Sequence, residues 1–381
     1  MAGTVSSRRG IDWTKLGLNL AMPAAGLAAA LAVGALMLLL LKADPVAAYA
    51  AMIQGAAGTT YGLTQSLVKA TPLLLVGAGI CIAFRANVIN IGGEGQMILG
   101  AVASTATALG LGGLPAYILA PLACLAGFAA GAAWGFVPGY LKARLRVNEI
   151  LSTIMLNAIA VQFMSFLLQG PLMDPEGIAR GTFLAQSGRL PEASWLPRLV
   201  PRTLLNAGAI IALAMAVLAY VLLWRTALGF SIRAVGLNPH AARYAGIDVP
   251  KHQALALALA GGFAGLGGAV EVLGVQHRLL EGLTSGYGFT GIVAALLGGL
   301  HPIGLIPASV LFGGILVGAD RMQRAVQVPS SLITALLGLI VLFVSGSALW
   351  SRRWAERRRV NAARAGEGGS GEADAAAEIK P

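Results

Sequence analysis

The sequence predicts an all-α polytopic membrane protein with about eight to ten transmembrane helices. Hydrophobic residues make up 57% of the 381 residues and charged residues only 11%, whereas soluble domains average about 25% charged residues. The apolar runs are also far longer than the alternating strands of roughly 10 residues that a membrane barrel needs. In lipid, the backbone N–H and C=O groups must be hydrogen-bonded within helices or closed barrels. Helices are therefore the spanning elements that fit these runs.

Uncharged stretches mark the expected spans, at about 20 residues per crossing. They cover residues 16–41, 70–84, 95–141, 150–173, 203–224, 252–270, 282–319 and 325–351. The first is much longer than the apolar core of a cleavable signal and is expected to remain as a span. The stretch 95–141 is long enough for two helices and is broken at 110–115. The stretch 282–319 is broken at 298–302 and predicts two short helices or a re-entrant hairpin.

Both termini are expected on the cytoplasmic side, because the number of crossings is even in either interpretation. Basic residues flank one face at 8–15, 142–146, 225–251 and 352–359, which marks that face as cytoplasmic. Arg321 and Arg324 fall on the opposite face and count against this scheme. The net charge of +11 thus orients the chain in the membrane and does not indicate a nucleic-acid partner.

The chain is accordingly divided into three parts. Residues 1–15 form a cytoplasmic N-terminus and residues 351–381 a cytoplasmic tail that is expected to be disordered. Residues 16–350 form the transmembrane domain. This domain includes an extracytoplasmic loop at 170–202 and a cytoplasmic loop at 225–251.

Motifs for nucleotide or metal chemistry are absent from the sequence. There is no Gly-x-x-x-x-Gly-Lys-[Ser/Thr] loop to hold phosphates. The four histidines, at 240, 252, 277 and 301, lack the spacing of metal ligands. Cys81 and Cys124 lie within apolar runs and are expected to be packing residues. We therefore expect no catalytic residue, metal or cofactor in this chain, and ATP-driven transport would need a separate ATPase.

Glycines recur at every fourth position along the second half of the stretch 95–141. Such small-residue stripes let a neighbouring helix approach closely, either within the chain or at a subunit interface. The residues concerned are Gly127, Gly131, Gly135 and Gly139.

A polar, glycine-rich segment lies between two apolar runs at residues 87–96. The uncharged run before it, 70–84, would rise only about 22 Å as a helix, short of the roughly 30 Å hydrocarbon core. One interpretation is a discontinuous helix whose break is buried in protein or lines a watery cavity. The other is a cytoplasmic turn, with Arg85 at the membrane edge. In the first, the translocation-path candidates are Asn87, Asn90, Gly92, Gly93, Glu94 and Gln96, and Glu94 is the only acid among them.

The cytoplasmic connection 225–251 predicts a short helix lying across that face. Asn238 and Pro239 mark its start, Ala241 lies in a run that favours helix, and Gly246 is placed to cap it. Loops beyond about 12 to 15 residues tend to be functional. The small side chain of Ala242 is expected to allow close approach to a partner. The candidate residues are Gly229, Arg233, Gly236, Asn238, Pro239, Ala241, Ala242 and Gly246.

These residues resemble the permease family of ABC importers that serves branched-chain amino acids, ribose and nucleosides. Segment 229–246 is similar to the family's cytoplasmic coupling loop, although the initial Glu of the related Glu-Ala-Ala motif is His240 here. Segment 90–96, Asn-Ile-Gly-Gly-Glu-Gly-Gln, is similar to nucleoside-type members, whereas ribose-type members show an Asp-Leu-Ser-x-Gly pattern. The resemblance covers roughly residues 60–350.

The resemblance implies a type II-like importer bundle in the bacterial cell membrane. It implies a second permease subunit, often a different one, with two ATPase subunits that bind ATP and Mg and an extracytoplasmic binding lipoprotein. Nucleosides would be the cargo, and the chain would not be an enzyme. The alternatives are a simple sugar or branched-chain amino acid as cargo, or an ion-coupled secondary transporter with Glu94 or Glu271 as the coupling carboxylate.

Overall fold

The computed structural model describes residues 13–179, 181, 184–327 and isolated positions between 329 and 346. The chain divides into two compact units, residues 1–42 together with 330–381, and residues 43–329. In the first unit, α1 (Trp13–Leu40) is a helix of 28 residues that corresponds to the expected span 16–41. Most of the expected last span, 325–351, and the tail 351–381 lie outside the described residues.

The second unit is helical, and its described residues contain no strand beyond three isolated bridges. Its helices are α2 (Pro45–Ala57), α3 (Thr60–Arg85), α4 (Gly93–Gly110), α5 (Ala116–Leu145), α6 (Glu149–Leu168), α7 (Pro175–Ala179), α8 (Gly208–Arg225), α9 (Ala227–Leu237), α10 (Pro239–Tyr244), α11 (Val249–Glu271), α12 (Tyr287–Leu297) and α13 (Pro302–Val326). A π turn (Val272–Gln276) continues α11. In the described part of the chain, six helices are long and apolar enough to cross a membrane. The predicted all-α polytopic class is confirmed.

The core of this unit is formed by α3 and α11. In each, 83% of the most apolar 18-residue stretch is buried, compared with 22–50% of such a stretch in α5, α6, α8 and α13. Helix α11 packs mainly against α5, α4 and α3. The outer helices therefore leave apolar side chains uncovered, which suits a surface that faces lipid.

Close helix contacts explain the glycine stripe of α5, which faces α11 of the same chain. A Cβ atom added to Gly131 would lie 2.3 Å from the Gly261 carbonyl oxygen and 2.7 Å from the Gly265 Cα. One added to Gly135 would lie 2.4 Å from the Leu257 oxygen. Backbone thus packs on backbone, and even an alanine side chain has no room. Gly127 and Gly139 are also close to their neighbours, with added Cβ atoms at 2.6 Å from the Ser104 Oγ and 2.9 Å from the Ala254 Cα.

The helix that contains the uncharged run 70–84 is longer than that run indicates. Helix α3 has 26 residues and begins at Thr60, where the Thr59 hydroxyl accepts a hydrogen bond from the Gly62 N–H at 3.0 Å. It includes Lys69, whose charge marks the start of the uncharged run without marking the start of the helix. The Lys69 ammonium lies 5.5 Å from the centroid of the Tyr287 ring, which attracts a cation. Helix α2 was not expected, because its 13 residues are too few for a crossing.

The stretch 282–319 forms one short and one long helix, α12 with 11 residues and α13 with 25, not two short helices. Leu280 pairs with Gln186 at one end of the bundle. Leu300 accepts a hydrogen bond from Arg85 at the other end. Between these two contacts, only α12 is helical. Gly282, with φ of 75°, lies in the irregular part.

The expected loop 170–202 folds onto the C-terminal end of α11. The Trp195 ring stacks on the His277 ring at 4.0 Å, and the Arg189 guanidinium carbon lies 4.9 Å from the Trp195 centroid. Burial, together with the nearby charge of Arg198, lowers the pKa of His277. Its ring is therefore neutral at pH 7, which suits a stack on an indole ring that Arg189 also contacts.

Candidate functional site

The segment between α3 and α4 begins with a left-handed helix end. Asn87 has a φ of 56°, and the N–H groups of Asn87 and Val88 donate to the carbonyls of Phe84 and Ala83, both at 3.1 Å. This hydrogen-bond pattern requires a residue that tolerates positive φ, usually Gly and sometimes Asn. Asn87 thus has a structural role in ending α3, and its side chain is exposed.

Helix α4 begins inside the bundle and not at its end. A Cβ atom added to Gly93 would lie 3.2 Å from Val76 Cγ1 and 3.3 Å from the Gly288 oxygen. Val76 precedes the C-terminal end of α3 by about 13 Å, at 1.5 Å per residue. The first turns of α4 and α12 therefore meet beside the middle of α3. A break at this position inside the bundle is what the discontinuous-helix interpretation expects.

Two amide side chains hold the break closed. The Asn90 Nδ2 donates to Gln96 Oε1 at 2.9 Å, and the Gln96 Nε2 donates to Asn90 Oδ1 at 3.2 Å. Asn90 Oδ1 also accepts from the Gly92 N–H at 2.9 Å. Both side chains are 1% exposed. Their polar atoms are used within the chain, so a ligand would meet neither of them directly.

Asn157 of α6 completes the break, and the sequence reasoning missed it. Its Oδ1 accepts from the Gly95 N–H, and its Nδ2 donates to the Ile91 carbonyl, both at 2.9 Å. It satisfies one of the unpaired N–H groups at the start of α4. The available signal was an amide within the uncharged run 150–173, where polar groups are costly unless they are paired.

Glu94 joins the starts of α4 and α12. Its Oε2 accepts from the Gly288 N–H at 2.8 Å and its Oε1 from the Gly286 N–H at 3.1 Å. A Cβ atom on Gly288 would lie 2.3 Å from the Glu94 nitrogen, so this contact needs a glycine. A carboxylate at a helix N-terminus complements both the free N–H groups and the helix dipole. The Glu94 carboxylate is partly exposed, unlike Asn90 and Gln96.

A second acid, Glu271, lies at the C-terminal end of α11. It is 5% exposed and accepts a long hydrogen bond of 3.4 Å from Gln276 Nε2. Tyr287, the first residue of α12, lies between the Glu94 junction and the ammonium of Lys69. Polar side chains from α3, α4, α11 and α12 therefore converge on the start of α12.

The predicted helix of the connection 225–251 is present as α10. The Asn238 side chain caps it by accepting from the N–H groups of His240 at 3.0 Å and Ala241 at 3.1 Å, and Pro239 is its first residue. Gly246 has a φ of 80°, and its N–H donates to Arg243 at 3.0 Å. These are the start and stop signals that the sequence predicts.

Ala242 does not face outward, contrary to the expectation from its small size. It is 3% exposed and packs with Val235 of α9 and Val249 of α11 in its own chain. The exposed large side chains are instead Leu237, 88% exposed, and Tyr244, 95% exposed. Tertiary packing turned the expected face of this short helix inward.

Helix α9 (Ala227–Leu237) was not separately expected, and two of the predicted glycines fix its position. A Cβ atom on Gly229 would lie 2.0 Å from the Leu222 oxygen, in the tight turn after α8. One on Gly236 would lie 2.0 Å from the Arg85 oxygen. Helix α9 therefore lies directly against the end of α3. Arg233 extends from α9 over the ring of Trp224.

Among the residues that the structure describes, no three His, Cys, Asp or Glu side chains form a group that could hold a metal ion.

Comparison with known proteins places these features in a family. Residues 62–345 match the family described as branched-chain amino acid transport system, permease component. No solved structure matches the chain.

Three relatives align over most of their own lengths. The guanosine ABC transporter permease protein NupP of Bacillus subtilis is 36% identical over 86% of this chain and 94% of its own. The glucose ABC transporter permease protein TsgB13 of Haloferax volcanii is 38% identical over 85% and 86%, respectively. The nucleoside ABC transporter permease protein NupB of Lactococcus lactis is 33% identical over 82% and 86%. Bacillus subtilis and Lactococcus lactis each have a second permease that is similar to this chain, NupQ and NupC, respectively.

Proposed function

Because this chain belongs to the permease-component family of branched-chain amino acid transport systems, we propose that it is the membrane subunit of an ABC importer for nucleosides. The main observation in favour of a nucleoside as the cargo is the 36% identity to a guanosine permease over 94% of that protein's length. The nucleoside permease NupB supports the same class of substrate. The chain would thus reside in the bacterial cell membrane as a multi-pass protein.

A sugar is the second candidate cargo. The glucose permease TsgB13 is 38% identical to this chain, slightly more than the guanosine permease. A nucleoside contains a ribose ring, so both cargoes present vicinal hydroxyl groups to the path. The base is the part of the ligand that would distinguish them.

The proposed assembly contains this chain, a second and different permease, two ATPase subunits and an extracytoplasmic binding lipoprotein. The pairs NupP with NupQ and NupB with NupC support a second, related permease. ATP and Mg would be bound by the ATPase subunits. The end of the bundle that carries α9 and α10 would then be the cytoplasmic end.

Within this assembly, the junction of α4 and α12 is the proposed translocation-path element. Glu94 is its partly exposed acid, whereas Asn90, Gln96 and Asn157 hold the backbone around it. Glu94 would contribute by fixing α12 and by presenting a carboxylate edge to ligand hydroxyls. Gly92 and Gly93 allow the chain to turn where α4 starts.

Reconstitution tests the cargo directly. The complete complex is reconstituted in proteoliposomes, with ATP on the side of the ATPase subunits and substrate-saturated binding protein on the opposite side. It is expected to accumulate labelled guanosine. Glucose is the competing substrate in parallel vesicles, and a complex with an inactivated ATPase is the control. ATP-dependent glucose uptake without guanosine uptake would replace the nucleoside with a sugar. Guanosine accumulation that needs an ion gradient instead of ATP would indicate a secondary transporter.

Glu94→Gln is expected to reduce ATP-driven uptake by about tenfold, with normal assembly. Gln has nearly the same size, but its amide offers one oxygen to two N–H groups, so one charge-assisted hydrogen bond, worth about 1.5–3 kcal/mol, is lost. The measurement is initial uptake rate, normalised to complex isolated by tag. Glu192→Gln, which changes an exposed acid in the loop 170–202, is the matched control. Wild-type uptake by Glu94→Gln would show that the junction needs no carboxylate.

A further inference from the structure

Aromatic and cationic side chains cluster where several helices end beside α9. We call this group the Trp224 cluster; it consists of Trp224, Arg85, Arg233, His301 and Tyr220. The guanidinium carbons of Arg85 and Arg233 lie 5.2 and 5.9 Å from the centroid of the Trp224 ring. The rings of His301 and Tyr220 lie 4.7 and 5.4 Å from it. Helices α3, α8 and α9 and the connection between α12 and α13 therefore meet at one indole ring.

The contact between α9 and α3 in this cluster is backbone on backbone. The missing side chain of Gly236 leaves room for the Arg85 carbonyl, which a Cβ atom would meet at 2.0 Å. The same Cβ position lies 3.1 Å from the Asn87 nitrogen, in the break before α4. Because no flexible side chain lies between them, a displacement of α9 must displace the end of α3 and the start of the break.

The Arg85 side chain extends this contact to α12. Its Nη2 donates to the Leu300 carbonyl at 3.2 Å, just beyond the C-terminal end of α12. A cation at this end of the helix complements its dipole, as the Glu94 carboxylate does at the other end. Burial and the charge of Arg85 lower the pKa of His301, so a neutral ring lies beside the guanidinium. Two charged side chains thus hold the 11-residue helix α12 at its two ends.

We propose that Arg85 is the positioning residue that transmits movement of α9 to α12, so that the segment 229–246 and the junction at Glu94 move together. The inference rests on the proposed function, since it assigns a route for the motion that ATP would drive. Helix α12 is the element that this route would move, because both of its ends are held by side chains that border the break at 86–92. Arg233 and Trp224 keep the guanidinium of Arg85 between α9 and the Leu300 carbonyl.

Arg85→Gln in the complete complex is expected to lower nucleoside uptake per ATP hydrolysed by about tenfold, within the usual range of coupling between sites. Hydrolysis stimulated by the binding protein should continue, because the ATPase contacts are unchanged. Arg85→Lys keeps a cation that can reach the ring and the carbonyl, and should restore part of the ratio. Arg225→Gln, one residue after Trp224 and exposed, is the matched control.

A ratio unchanged in Arg85→Gln, or lowered equally in Arg225→Gln, would overturn the assignment of Arg85. Absence of uptake in the wild-type complex would instead overturn the proposed function, so the two failures are distinguishable. If Arg85→Gln does not assemble, Trp224→Leu tests the same route with Arg85 retained. It should also lower the ratio, and a wild-type ratio in that variant would contradict the proposal.

Labelling of a cysteine next to α12 provides a readout that a merely structural role would not change. Ser285→Cys places a thiol at an exposed position just before α12, and the native Cys81 and Cys124 are buried. In the wild-type background, its labelling rate should change between the ATP-bound and nucleotide-free complex. With Arg85→Gln, the rate should become independent of nucleotide, while Arg225→Gln should leave the dependence intact. A persisting nucleotide effect in Arg85→Gln would rule out this route.

Discussion

Gly131→Val is expected to abolish most of the folded, monodisperse protein obtained after detergent extraction. The Cβ atom alone would lie 2.3 Å from the Gly261 oxygen and 2.7 Å from the Gly265 Cα, both backbone atoms of the central helix α11. No side-chain rotation relieves these contacts, so α5 and α11 must separate along their length. Overpacking in cores costs about 1–3 kcal/mol when side chains can yield, and the cost here should exceed that range.

Ala133→Val is the matched control for this prediction. It introduces the same β-branched residue two positions along the same helix, on a face that is exposed in the chain. The quantities to compare are the monodisperse fraction in size-exclusion chromatography and the midpoint of thermal unfolding. Wild-type behaviour of Gly131→Val would mean that α5 and α11 do not pack as described. Equal loss in both variants would attribute the effect to Val in a helix and not to the contact.

Replacing both Leu237 and Tyr244 with Ser is expected to release the ATPase subunits while the permease itself folds normally. These side chains are 88% and 95% exposed, so their loss removes little packing within the chain. Leu237 is the last residue of α9 and Tyr244 the last residue of the capped helix α10, at the proposed cytoplasmic end. Buried aromatic anchors contribute at least about 2 kcal/mol to an interface, or roughly 30-fold in affinity.

The readout for this double variant is the amount of ATPase retained per permease in tag purification, together with ATP-driven uptake. Leu199→Ser with Tyr117→Ser is the matched control, since it makes the same two changes on exposed residues at the opposite end of the bundle. Undiminished ATPase retention in the Leu237 and Tyr244 variant would remove these residues from the interface. Ala242→Glu is unsuitable for this purpose, because Ala242 is buried in its own chain and the change should destabilise the loop directly.

The helical class and most helix positions were predictable because hydropathy and capping are local properties of the chain. The break at 110–115, the ends of α10 and the positive φ at Gly246 all follow from residues close in sequence. The same reasoning failed at Lys69, because a charged residue interrupts an apolar run without ending a helix when a ring accommodates its ammonium. It also failed at α2, whose length gives no signal of a crossing.

The sequence by itself determined that this protein is a bundle of apolar helices with a polar break at 87–96 and a capped helix in the connection 225–251. Only the tertiary structure decided which groups these segments meet. Glu94 binds N–H groups about 190 residues away, Asn157 covers the start of α4 from another helix, and Ala242 turns inward. Contacts between residues so distant in sequence depend on how whole helices pack, and no local pattern of residue types encodes that packing.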